Sequence, residues 1–488
     1  MASRALPAPR PRHLRLVRPD EEAAGAGPDV RSAGLRLPGL LLGSALVLTG
    51  LGIVMVLSAS NVYAYQDFGS SFWFFKRQVM YVVVGLLALA VTSVIPYRAW
   101  RGLSLVLVAG AAVLLVAVLH PALADARTSS SSGGGTVGGA TRWLTFGPVT
   151  VQPSEIAKLA LVVFGAAILA RKWSSLDQPG HVAIPLLPVV AVLCGLVMLQ
   201  PDLGTTMILG GITFVLLFVA GLRLRYLFLG GSLAVVLGIL LVFGEHYRKV
   251  RFLSFLDPWA DPHHTGYQVV QSLLALGSGG WTGVGLGASR AKWLYVPNAH
   301  TDFIFSIVGE ELGLIGALAV LVLFGLLVYA GIRIAMRTED VFGRLLAAGI
   351  TGWLGLQALV NLGAVTGILP VTGVPLPFVS FGGSALVVTL AAVGILVSIA
   401  RAPAQADEGR GRGTAPARGV AELADIDAFP GLADEVPNGG CAPRWGADLR
   451  REWVLPDVID GGCDREHGGE NDGVPRQFRS ALPGGQGQ

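Results

Sequence analysis

The chain has 488 residues, of which 52% are hydrophobic and only 14% charged, with a mean hydropathy of +0.62. So apolar a composition excludes an ordinary soluble domain and defines a polytopic membrane protein. A formal net charge of +4 gives no indication of nucleic acid binding, and three cysteines, Cys194, Cys441 and Cys463, form no disulfide framework and match no zinc spacing.

Residues 1–37 are rich in Arg, Pro and Ala and cannot bury enough apolar surface to fold alone, so a disordered basic tail is expected there. Ten apolar stretches follow at 38–58, 78–96, 102–120, 154–170, 182–199, 204–221, 226–244, 303–330, 345–369 and 376–400. Each is near the ~20 residues with which a helix crosses a bilayer. The expected fold is therefore all-α, a transmembrane bundle of about ten spans over 38–401, followed by a second disordered tail over 402–488. The first stretch is too long for a signal-peptide core and lacks a small-residue cleavage site, so it is expected to be retained. Two long loops interrupt the spans. The first, about 121–152, joins a flexible SSSSGGGTVGG tether to ATRWLTFGPVTVQPSE, whose aromatic and β-branched residues predict order. The second, about 246–301, contains TGYQVVQSLLALG (265–277), predicted as a short interfacial helix.

Arginine and lysine set the expected orientation. The N-terminal tail carries Arg4, Arg10, Arg12, Arg15, Arg18, Arg31 and Arg36, which assigns it to the cytoplasm. With ten spans, the connections holding Arg98 and Arg101, Arg171 and Lys172, Arg223 and Arg225, and Arg333, Arg337 and Arg344 also lie inside, as does the C-terminus after Arg401. The outer side nevertheless carries Lys76, Arg77, Arg127, Arg142, Arg248, Lys249, Arg251, Arg290 and Lys292. Either long loops cross regardless of charge, or an anionic substrate is held at the outer face.

Four polar motifs fall at that face. QPSE (152–155) opens the fourth span, QPDLGT (200–205) joins the fifth to the sixth, HTDF (300–303) opens the eighth and PLPFVSFGGS (375–384) opens the tenth. Proline suits a first helical turn, and the unpaired N–H groups of a helix start favour anions. Glu155 and Lys158 stand three apart and share a helix face. They either pair to fix helix packing or serve a substrate, since an ionisable residue at mid-span costs about 2.5–3.5 kcal/mol unless partnered. Asp202 is either a helix cap before Thr205 and Thr206 or a site carboxylate. Gln152 and Ser380 stand in these motifs as supporting polar side chains.

Asp302 differs from the others. It sits at the outer edge of a span, beside His300 and Thr301 and after the basic aromatic run RAKWLY (290–295). A partly desolvated carboxylate there suits a general base, the alternative being a cap on helix N–H groups. Glu310 lies two turns further on, about 12 Å deeper at helical rise. Glu310 and Glu311 are expected to face different partners, because adjacent helical residues diverge, and both read as support for the helix or cavity. On the residues alone the chain is a membrane enzyme or a transporter with a carboxylate-lined outer cavity.

RWLTFGPVTVQPSEIAK, QPDLGTT, FLDPWADPHHTGYQVVQSLLALGSGGWTGVGLG, VPNAHTDFIFSIVGEELGLIG and PFVSFGGS, in this order within 38–401, together resemble the FtsW/RodA (SEDS) family of bacterial wall synthesis. The resemblance implies a peptidoglycan glycosyltransferase that polymerises lipid II at the outer face of the cytoplasmic membrane and releases undecaprenyl pyrophosphate with inversion. Its implied partners are a class B penicillin-binding protein transpeptidase and other divisome proteins. It makes Asp302 the catalytic residue and gives functional weight to Arg142, Trp143, Glu155 and Lys158, with His300 beside them as a substrate contact. Lys158, Arg142 and the loop cations Arg248, Arg251, Arg290 or Lys292 are then candidate partners of the pyrophosphate. No cofactor is required; a divalent cation could assist, with no residues assigned to it. Relatives often carry glutamate where this chain has Asn298, so no role transfers to that position. The PNAH form and the long tail look more like the division branch of the family than the elongation branch.

Two rival functions follow from the same features. A lipid II transporter would place its site near the midplane between repeated bundles, and the Q-P-acid echo at 152–155 and 200–202 is the one hint of repetition. A scaffold without activity would leave the buried charges without a purpose.

Overall fold

The computed structural model describes residues 30–120, 142–146, 149–175, 179–244, 246–293, 295–297 and 299–413. The bulk of both expected tails and the SSSSGGGTVGG tether lie outside these residues. Among the described residues the chain forms α1 (Val30–Phe68), α2 (Trp73–Val94), α3 (Tyr97–Leu119), a hairpin of β1 (Leu144–Phe146) and β2 (Val149–Val151), α4 (Pro153–Arg171), α5 (Pro179–Met198), α6 (Leu203–Val219), α7 (Leu224–Phe243), α8 (His246–Leu256), α9 (Tyr267–Ser278), α10 (Ile304–Arg337), α11 (Val341–Val365) and α12 (Ser384–Gly413). Among the described residues, eight helices are long and apolar enough to cross a membrane, and the apolar segments Ile184–Met198 and Leu203–Val219 add two shorter ones. That agrees with an all-α bundle of about ten spans.

Several boundaries differ from expectation, and helix runs into both expected tails, from Val30 at one end and as far as Gly413 at the other. The first helix continues from 58 to Phe68, because Ala59 and Ala64 are still buried in the bundle and the polar run NVYAYQ does not break it. The last span starts at Ser384 rather than 376. Pro370, Pro375 and Pro377 deny the helix its N–H donors, and Phe378 at φ 66° and Gly373 at φ 73° turn the backbone away from helical geometry.

α4 is the central helix. It is apolar almost all round, and 83% of its spanning window is buried, as such a sequence requires. α3, α5, α6 and α11 pack around it. α7 is the opposite case, more apolar still but only 6% buried, so its Phe228, Leu229 and Leu240 are left to lipid. α2 and α12 approach closely at Gly85 and Gly394, where an added Cβ would meet Leu390 Cδ1 at 2.6 Å and Thr92 Oγ1 at 2.0 Å. The Thr92 hydroxyl donates across that contact to the carbonyl of Ala391 at 2.9 Å, the small-residue packing that membranes favour.

α10 is broken at Gly313, whose φ 67° and ψ −165° are not helical. A helix would pair the N–H groups of Leu314 and Ile315 with the carbonyls of Glu310 and Glu311. Here the segment after α9 replaces both partners. Leu314 and Ile315 donate to Gly280 O and Trp281 O at 2.9 and 3.2 Å, while Val284 and Gly285 donate to Glu310 O and Glu311 O at 3.0 and 3.1 Å. These four backbone groups, freed by the break, are thereby satisfied, as a membrane-spanning element requires. Gly283 at φ 83° allows the approach, since a Cβ there would lie 2.1 Å from Glu311 O.

Candidate active site

The four motifs meet at one end of the bundle, as their expected common side requires. Pro153 occupies the first turn of α4, and Gln152 N donates to Ser384 Oγ at 2.9 Å, joining QPSE to the end of PLPFVSFGGS. The β1–β2 hairpin pairs Leu144 with Val151 in antiparallel register and is pinned to α2 where Thr150 N donates to Tyr81 Oη at 2.9 Å. Half-buried Trp143 leads into it. Arg142 reaches the QPDLGT turn, donating from Nε to Gln200 O at 3.0 Å and from Nη2 to Pro201 O at 2.6 Å. Asp202 takes the cap geometry, accepting from Thr205 N at 3.0 Å and Thr205 Oγ1 at 2.8 Å.

HTDF is held from three sides by its own carbonyls. Phe381 N donates to His300 O at 2.9 Å, Ser380 Oγ to Thr301 O at 2.7 Å, and Asn361 Nδ2 to Asp302 O at 2.8 Å. The same Asn361 nitrogen donates to Val374 O at 2.8 Å. The half-buried Asp302 carboxylate lies over Gly373, where an added Cβ would come 3.6 Å from Oδ2. The positive φ of Gly373 and its missing side chain leave that approach open.

Below this mouth sits the buried ion pair. Lys158 Nζ and Glu155 Oε1 are 2.8 Å apart, with each side chain 1% exposed. Lys158 also donates to Gln357 Oε1 at 2.7 Å and lies 5.4 Å from the Trp353 ring centroid, a cation–π distance. Trp353 Nε1 donates to the same Gln357 oxygen at 2.8 Å, and Gln357 Nε2 donates to Pro375 O at 3.0 Å. Trp353, Gln357 and Asn361 thus form one buried stripe of α11 at four-residue spacing, reaching from the ion pair to Asp302. Gln357 and Asn361 are absent from the residues picked out by sequence. Their one signal there is two amides a turn apart in an apolar helix.

Glu310 and Glu311 depart from the expectation of separate partners. Both reach Ser289, Glu310 accepting from its Oγ at 2.5 Å and Glu311 from its N at 3.3 Å. Glu310 also accepts from Arg290 N at 2.8 Å, while Glu311 accepts from Ser58 Oγ at 2.6 Å and pairs with Lys292 Nζ at 3.8 Å. The divergence of adjacent helical side chains is overcome because the loop, bonded to carbonyls before the break and to N–H groups after it, wraps around the helix. Lys292 is buried and donates to Gly287 O, whereas Arg290 is exposed. The side chains of Arg248 and Arg251 lie outside the described residues.

His300 is enclosed by aromatic rings, with Phe74, Tyr63 and Phe381 centroids at 4.6, 5.5 and 5.9 Å. Its Nε2 is buried without a hydrogen-bond partner among the described residues, and burial lowers its pKa to about 4. The unfolded imidazole, titrating near ~6.5, takes up a proton that the folded one refuses. Stability is therefore full above about pH 6.5 and declines as pH falls toward about 4, by up to ~1.4 kcal/mol per unit. His300→Phe, which suits the aromatic cage, is expected to flatten that decline in thermal unfolding at about pH 7.5 and about pH 5. An unchanged pH dependence would contradict the buried neutral imidazole. Among the described residues, no group of three or more His, Cys, Asp or Glu side chains gathers to hold a metal.

The fold and the clustering of polar groups at one end define a polytopic integral membrane protein whose chemistry belongs to one face of the bundle. More particularly, the chain belongs to the FtsW/RodA/SpoVE family, whose model, described as a cell cycle protein, matches residues 39–405. Among its relatives, a probable peptidoglycan glycosyltransferase FtsW of Geobacter metallireducens is 43% identical over 74% of this chain and 93% of its own. The stage V sporulation protein E of Bacillus subtilis is 40% identical over 74% and 96%. Of solved structures, a chain from a study of how a peptidoglycan synthase complex coordinates polymerization and crosslinking is 31% identical, with a TM-score of 0.60 over 75% of this chain and 98% of that one. The rod shape determining protein RodA of Thermus thermophilus is 30% identical, with a TM-score of 0.52 over 74% and 95%.

Proposed function

We propose that this chain is a peptidoglycan glycosyltransferase that polymerises lipid II at the outer face of the cytoplasmic membrane during division, with both termini in the cytoplasm. The observation that carries the reading is the clamping of Asp302, a half-buried carboxylate, between α10, α11 and the 373–381 segment at one end of the bundle. Asp302 takes the proton of an acceptor sugar hydroxyl as its oxygen attacks the donor's anomeric carbon. The new C–O bond forms as the bond to pyrophosphate breaks, and undecaprenyl pyrophosphate leaves with the electron pair. Attack opposite an α-linked leaving group yields a β linkage, and one carboxylate suffices because no covalent intermediate forms and the pyrophosphate, unlike a sugar alcohol, leaves without being protonated.

Developing charge on the pyrophosphate calls for cations. Lys158 and Lys292 are each paired with a carboxylate of the chain, and Arg142 is engaged with two carbonyls. Exposed Arg290 is thus the better placed of the candidate cations whose side chains are described. The names of the relatives favour the division branch and, through the synthase complex, a penicillin-binding partner.

The test is to supply the purified chain, in complex with a class B penicillin-binding protein, with lipid II in detergent, and in parallel to load sealed vesicles with labelled lipid II. Glycan strands are the expected product. Movement of label across the bilayer with no strands in detergent would overturn the reading in favour of a transporter.

A further inference from the structure

We infer that Asn361 and Gln357 are positioning residues for the reaction, tying Asp302 to the Glu155–Lys158 pair. This rests on the reading of Asp302 as the base. Asn361 faces two carbonyl oxygens, Asp302 O and Val374 O, each 2.8 Å from Nδ2. Both are acceptors, so only the nitrogen end of the amide can point at them. Asn361 Oδ1 is buried with no hydrogen-bond partner among the described residues, so the amide is kept for its two N–H donors although its acceptor goes unsatisfied, a cost that a merely packing side chain would not carry.

One turn earlier Gln357 repeats the arrangement. Its Nε2 grips Pro375 O, the carbonyl next in the chain to Val374 O, and its Oε1 is fixed by Lys158 Nζ and Trp353 Nε1. Two amides of one helix face therefore hold successive carbonyls of the segment whose Gly373 underlies the Asp302 carboxylate. Lys158 has no exposed surface. Its influence on the chemistry passes through Gln357 and this segment to the height of Asp302 in the mouth. A displacement of about 1 Å at a reacting group costs on the order of 10²-fold in rate.

The test uses the full chain in complex with its transpeptidase partner and reads kcat, KM and the pH–rate profile of lipid II polymerisation together with thermal stability. Asn361→Asp keeps the shape but turns two donors into acceptors facing carbonyls. It is expected to lower kcat on the order of 10²-fold with KM little changed and to shift the acid limb of the profile. Combined with Asp302→Asn it is expected to add no further loss, since both act on one group. If Asn361→Asp does not fold, Gln357→Met, which leaves Asn361 in place, is expected to lower kcat in the same selective way. Wild-type kcat and pH profile in the folded variant, or kcat and KM moving together in step with stability, would overturn the positioning role. Should Asp302→Asn itself polymerise at the wild-type rate, the base reading fails. If Asp302→Asn is inactive and folded Asn361→Asp is not impaired, the positioning inference alone fails.

Discussion

Lys158→Met, with Glu155 left in place, is expected to destabilise the bundle by about 3–5 kcal/mol, the cost of leaving one partner of a buried ion pair uncompensated. Both side chains are 1% exposed and lie in the most buried helix of the bundle. Removal of the ammonium strands Glu155 and leaves Gln357 Oε1 with the Trp353 indole as its remaining donor among these contacts. Surface pairs behave differently, contributing about 0–1 kcal/mol because water screens them. The double variant Glu155→Gln with Lys158→Met removes both charges and is expected to recover most of the loss, since a well-packed neutral pair often matches a buried ionic one. Thermal or denaturant unfolding of the two single variants and the double variant in one detergent checks this. A Lys158→Met protein as stable as wild type would mean that water or another carboxylate partner reaches the site.

Asp302→Asn is expected to keep the fold and lipid II binding while polymerisation falls by about 10²–10⁴-fold, the usual contribution of a general base. The clamp on HTDF uses the backbone carbonyls of residues 300–302, so exchanging the carboxylate for an amide leaves it intact. Asp302→Glu restores a base but carries it one methylene too far, and is expected to retain on the order of a hundredth of the wild-type rate. The check is the split between kcat and KM: a base acts in kcat, whereas loss of a substrate contact made equally in ground and transition states would raise KM with kcat unchanged.

Much of this architecture is legible in the sequence because it is local. Span length and apolarity fix the bundle, and three-residue spacing puts Glu155 and Lys158 on one face, where they pair. Proline and carboxylate at helix starts mark the four mouths, which the bonds from Gln152, Arg142, Ser380 and Phe381 bring to one end. What is not legible depends on distant contacts. Lys292 reads as a free outer cation until Glu311 is found beside it. Glu310 and Glu311 read as diverging neighbours because nothing local reveals a loop that exchanges backbone hydrogen bonds with a broken helix at Gly313. Gln357 and Asn361 go unmarked because their partners, Lys158 on α4, Asp302 before α10 and the 374–375 segment, are assembled only by folding.

Glycosyl transfer at Asp302 is the activity proposed for this protein. Its most direct test is strand synthesis from purified lipid II by the wild-type complex and by the Asp302→Asn complex, with the partner transpeptidase blocked by a β-lactam so that polymerisation alone is read. Glycan strands from the wild type and none from an equally folded, equally assembled Asp302→Asn complex are the expected result. Strands of equal yield from both would contradict it and return Asp302 to a structural place at the mouth of α10.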